Sequence, residues 1–142
     1  MMMYQMKKMV RPALLAACIL AMFSFAGCRK TQEDVKIQEL DYTVLAEKNI
    51  PTPLLEELEV RKKEEFRITY EDGEYLYLCV GYGQQESGGY SIQVKELGLY
   101  EDYILLDTTL LGPSHDEAAK KTPSYPYMVL RTELRNTPVM FE

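Results

Sequence analysis

A chain of 142 residues is long enough for one domain and not comfortably for two. It carries 22 acidic against 16 basic residues, a formal charge of −6. That balance is repelled by phosphate backbones and argues against nucleic acid as a partner. No internal repeat is visible, which argues against a solenoid or propeller.

The first 27 residues hold no Asp or Glu, and their only basic residues are Lys7, Lys8 and Arg11. An uncharged apolar run, Ala13 to Phe25, follows, and Ala26 and Gly27 precede Cys28. This is the layout of a secretory signal peptide. The run is shorter than the roughly 18–20 residues that a spanning helix needs. Ala26-Gly27-Cys28 resembles a bacterial lipobox, with Phe25 standing where an aliphatic residue is usual. The resemblance implies a diacylglyceryl group on Cys28, and two acyl chains anchor stably where one is marginal. The alternative is an ordinary secretory signal with a cysteine nearby. The expected organisation is a signal peptide over 1–27, a lipidated cysteine and polar tether over 28–36, and one β-rich domain over 37–142. Without the first 27 residues the chain sets 13 basic residues against 22 acidic ones. A net charge of about −9 does not lie flat on anionic lipid, so membrane attachment falls to the lipid. Cys79 is then left alone, in the apolar stretch YLYLCV, and is expected to be a buried, inert thiol.

Beyond the tether, Ile37 to Ala46 read as extended, with Val44 and Leu45 as apolar anchors. A helix is expected from Thr52, the candidate N-cap, with Pro53 in its first turn. Leu54, Leu55 and Leu58 form its stripe, and Arg61, Lys62 and Lys63 its solvated basic end. From Phe66 the period becomes two, Asp72-Gly73 marks a hairpin turn, and the next strand turns apolar on both faces, as a central strand does. After the loop GQQESGG come strands at Tyr90 to Leu97 and at YILLDTTLL. A long turn-rich connection, GPSHDEAAKKTPSYP, leads to strands around Tyr127 to Leu134 and Val139 to Phe141. The predicted fold class is mainly β with one short helix (α+β), a small antiparallel β-sandwich or partly open barrel of six or seven strands.

No catalytic constellation emerges. His115 is the only histidine and sits among loop residues beside Asp116 and Glu117, and no serine stands in a nucleophile elbow. The chain is read as a non-enzyme with no metal and no cofactor. GYGQQESGG lacks the lysine of a P-loop, so its glycines read as hairpin chemistry or as a loop shaped to touch a partner. Ten of the 11 tyrosines lie beyond residue 27. Most suit half-buried strand positions, but rigid aromatics also dominate binding hot spots. The candidate contact residues are Gly83, Ser87, Gly88, Gly89 and Tyr90 in the loop, with Tyr125, Pro126 and Tyr127 at the end of the long connection. They form one surface if the two loops meet at one end of the domain.

The stretch YLYLCVGYGQQESGGYSIQV, then LLGPS and TPSYPYMVLRTE, resembles the C-terminal domain of the PrcB family, bacterial lipoproteins described as subunits of a surface protease complex. The matching positions are Ser87, Gly88, Gly89, Tyr90 and Ser91, then Pro113, then Tyr125, Pro126 and Tyr127, with Ser87 where threonine is common. The likeness covers roughly residues 66–142. It implies an extracytoplasmic lipoprotein, anchored by lipid to the membrane of a bacterial cell envelope, that binds or stabilises a secreted or surface protease without cleaving anything itself. Two alternatives stay open: a protease inhibitor using the glycine loop, and a structural or ligand-binding envelope lipoprotein with no protease partner. Oligomeric state is left open by the sequence.

Overall fold

β4 (Tyr75–Tyr82) organises the structure, because it is apolar on both faces and sits inside a sheet. The fold is seen in a computed structural model that describes residues 33–142, of which Asp34–Glu142 form one compact unit. The signal peptide, Cys28 and most of the expected tether lie outside the described residues.

The remaining strands are β1 (Lys36–Glu39), β2 (Thr43–Val44), β3 (Glu65–Glu71), β5 (Ser91–Tyr100), β6 (Ile104–Leu111), β7 (Tyr127–Glu133) and β8 (Val139–Phe141). They form two open four-stranded sheets, β1-β5-β6-β8 and β2-β7-β4-β3. The expected β-sandwich is thus present, with eight strands among the described residues. All pairings are antiparallel except β6 with β8, which is parallel.

Leu76, Leu78 and Val80 of β4 point toward the other sheet and pack with Leu40, Leu97, Ile104, Leu106 and Leu130. Tyr77 and Cys79 point the opposite way and meet Ile50, Leu54, Leu58, Phe66 and Val129. The second cluster lies beneath α1 (Thr52–Arg61), which buries Leu54 and Leu58 as their spacing predicts. The result is three layers: sheet, sheet and helix.

Four local expectations are corrected. Thr52 is the first residue of α1 rather than its cap; Pro51 holds the cap position and supplies no side-chain acceptor. Val44 is exposed, and Leu40 and Ile50 are buried in its place. The long connection contains a second helix, α2 (His115–Ala119), so His115 opens a helix rather than sitting in a loop. Its start carries the Ser-x-x-Glu spacing of a capping box: Ser114 Oγ accepts from the Glu117 N–H at 3.4 Å. Finally, the strand predicted to end at Leu97 runs on to Tyr100.

β5 joins the two ends of the domain. At its start lies the glycine loop. At its finish Tyr100 stacks on Tyr103, centroids 4.9 Å apart, and the Tyr103 hydroxyl donates to Asp34 at 2.9 Å.

Candidate functional site

The glycine loop is built on the end of β4. At Gly83 the backbone turns with φ +69, and a side chain there would place its first carbon 3.2 Å from the Glu64 and Glu65 backbone. Glycine therefore meets two demands, left-handed backbone and close approach to the segment that leaves α1. The Gln84 N–H then donates to the Lys63 carbonyl at 3.1 Å.

The loop next meets the end of the long connection. Gln85 and Ser124 exchange backbone hydrogen bonds of 2.8 and 3.1 Å, and the Tyr82 N–H donates to the Pro126 carbonyl at 3.0 Å. Ser124 Oγ donates to the Ser87 carbonyl at 2.6 Å. The loop and the Tyr125-Pro126-Tyr127 segment therefore sit together at one end of the domain. A third segment joins them. Gly89 has φ +81, and a side chain there would run into the Glu117 carboxylate at 2.3 Å and Pro113 at 2.9 Å.

The candidate residues divide by exposure. Gly83 and Ser87 are buried and shape the loop from within. Gly89 is exposed, while Gly88, Tyr90, Tyr125, Pro126 and Tyr127 are half-buried. No atom lies within 4 Å of the place a Gly88 side chain would take. Two cations border this end. Lys62 Nζ lies 5.9 Å from the Tyr125 ring centre and pairs with Glu59 at 2.5 Å. The Arg67 guanidinium lies 4.7 Å from the Tyr82 ring centre. Burial raises the Tyr127 phenol above its ordinary range, and Glu47 and Glu59 add to this, so it stays a neutral donor. The surface thus offers aromatic faces, backbone groups and a cation, which suits contact with another protein.

Sequence reasoning missed Lys62, Glu117 and Ser124 as parts of this end, and it placed Pro113 in the family pattern without a contact role. Only Ser114 and Glu117 carried a local signal, the capping-box spacing; the others come together through the fold.

Cys79 is sealed in the cluster beneath α1, and burial, with Glu57 adding, pushes its thiol up to about 12. A thiol held neutral in that way is a poor nucleophile. His115 is exposed on α2. Among the described residues no group of three His, Cys, Asp or Glu is placed to hold a metal ion.

A separate cleft of about 430 Å³ opens between the β3 and β8 edges. Arg67, Thr69 and Glu71 of β3 form one wall, Arg135 stands on the other, and Leu76 and Phe141 lie between. None of the glycine-loop or tyrosine candidates lines it.

Residues 76–133 match the family model described as PrcB C-terminal. The match runs from β4 to the end of β7 and contains the whole loop end except its α1 side. Neither a curated protein nor a solved structure matches the chain.

Proposed function

We propose that the protein, whose residues 76–133 match the PrcB C-terminal family model, is a non-catalytic subunit that binds and stabilises a secreted or surface protease. In this reading Cys28 carries the lipid that holds the domain on the outer side of a bacterial membrane. The partner is held by the loop end: Gly88, Gly89 and Tyr90 with Tyr125, Pro126 and Tyr127.

The observation that carries the reading is the hydrogen-bonded union of the two loops, Gln85 with Ser124 and Ser124 with Ser87. It joins residues 37 positions apart into one preformed surface. Preformed loops bind with less ordering cost than free ones. The domain match supports the link to a protease complex.

Tagged full-length protein, extracted from membranes in mild detergent, is expected to bring down a protease identifiable by mass spectrometry. Gly88→Arg fills open space, so it leaves the fold intact and lowers the amount captured by at least tenfold. Capture unchanged by Gly88→Arg removes the loop from the account. Adding the purified protein to the captured protease separates two roles. Prolonged activity supports a stabilising subunit, while loss of activity replaces it with an inhibitor. Cys28→Ser is expected to release the protein from the membrane fraction, and retention there overturns the lipid anchor.

A further inference from the structure

Among the described residues β3 is an edge strand, paired on one side only. The phase of its ladder is set by the hairpin, where the Asp72 N–H donates to the Tyr75 carbonyl at 3.3 Å. Counting back from that pair, Tyr70, Ile68 and Phe66 bond to β4 opposite Tyr77, Cys79 and Gly81. Glu65, Arg67, Thr69 and Glu71 therefore turn their N–H and C=O groups outward, away from the sheet. Such a row is a template for another strand.

The charges along this edge select the strand. Antiparallel pairing of β3 with itself has three registers that join at least three outward residues from each copy. Centred on Arg67, it opposes two arginines. Centred on Ile68, it opposes Glu65 to Glu71, carboxylate against carboxylate. Centred on Thr69, it opposes Arg67 to Glu71 twice, with the two threonines facing each other on the two-fold axis. On the other face the Thr69 register sets Ile68 against Tyr70, a β-branched and aromatic pair. Opposite charges and such mixed apolar pairs favour cross-strand neighbours, and like charges disfavour them.

We propose that β3 is a homodimer interface, in which a second copy of this chain adds its own β3 antiparallel about Thr69. The two β2-β7-β4-β3 sheets become one continuous eight-stranded sheet. The interface is isologous, as a two-fold requires. Arg67, Thr69 and Glu71 also line the cleft between the β3 and β8 edges, so the added strand would run beside that cleft. The charged residues that guard the edge against other strands are the ones that admit this register.

Sedimentation of the full-length protein in detergent micelles tests the proposal. Wild type is expected to pass from monomer to dimer as concentration rises. Thr69→Pro removes an outward N–H and no intrachain bond, so it should keep the thermal transition and abolish the dimer. Arg67→Glu should also dissociate it, and Arg67→Glu combined with Glu71→Arg should restore it. The double variant keeps the test valid if Thr69→Pro misfolds. Register is read by oxidation: Thr69→Cys should form an intermolecular disulfide, while Glu71→Cys should not. A wild type that stays monomeric at every concentration overturns the proposal. So does a dimer that survives both Thr69→Pro and Arg67→Glu.

Discussion

Asp72 closes the β3–β4 hairpin with three hydrogen bonds: from the Glu74 and Tyr75 N–H groups at 2.9 and 2.8 Å, and from the Tyr77 hydroxyl at 2.6 Å. These donors, the Tyr77 hydroxyl foremost, hold the Asp72 carboxyl below its ordinary range. Tyr77 shifts the other way, up to about 12, first through burial and then through its bond to Asp72. The two residues therefore limit stability at opposite extremes of pH. Asp72 contributes stability above its unfolded pKa of about 3.9, and that stability is lost as pH falls through the lowered folded value. Tyr77 contributes below its unfolded pKa of about 10, and that is lost as pH rises toward the folded value. Denaturant titrations across pH should show both limbs in the wild type. Asp72→Asn is expected to flatten the acid limb, and Tyr77→Phe the alkaline limb. An alkaline limb unchanged in Tyr77→Phe assigns it to another tyrosine.

At the scale of elements, β4 was the most legible. Its run of apolar residues on both faces announced a central strand, and Leu76 through Val80 are all buried. Its glycine has a packing role that the sequence did not reveal. Gly81 lies opposite Phe66, and a side chain at Gly81 would begin 2.2 Å from the Phe66 ring. Gly81→Ala should therefore cost about 1–3 kcal/mol through overpacking, measured by urea denaturation. A paired Phe66→Leu change should recover part of that loss. Short elements were less legible. α2 spans five residues, too few for a periodic stripe, so only its cap could have betrayed it. Val44 was misplaced because β2 is a two-residue edge strand, where alternation has no length in which to establish a phase.

At the scale of the whole molecule, the sandwich was legible in outline and the pairing of its last strand was not. After β7 the chain leaves one sheet, and β8 pairs parallel with β6 in the other. A three-residue strand carries no pattern that could foretell a change of sheet. The glycine loop with its tyrosines was visible in the sequence, whereas the cleft was not, because its walls come from β3 and from residues 135–141, far apart in the chain. The sheets are tied across the core by a hydroxyl pair, Tyr82 with Thr108 at 2.8 Å. Tyr82→Phe leaves the partly buried Thr108 hydroxyl without that partner, and should lower stability by about 0.5–1.5 kcal/mol in chemical denaturation. An effect near zero would mean that water takes the place of the phenol. β5 also sets a distance. Its 10 residues separate the loop end from Asp34, where the described domain begins beside Tyr103, by about 30 Å at the usual rise of a strand. Five residues lie between Cys28 and Asp34, six steps of the chain and a leash of about 20 Å when fully drawn out. A domain moored through Cys28, as proposed, would thus work as a mast: it would carry its contact loops clear of the lipid headgroups and leave them to sweep the space in which the proposed protease diffuses.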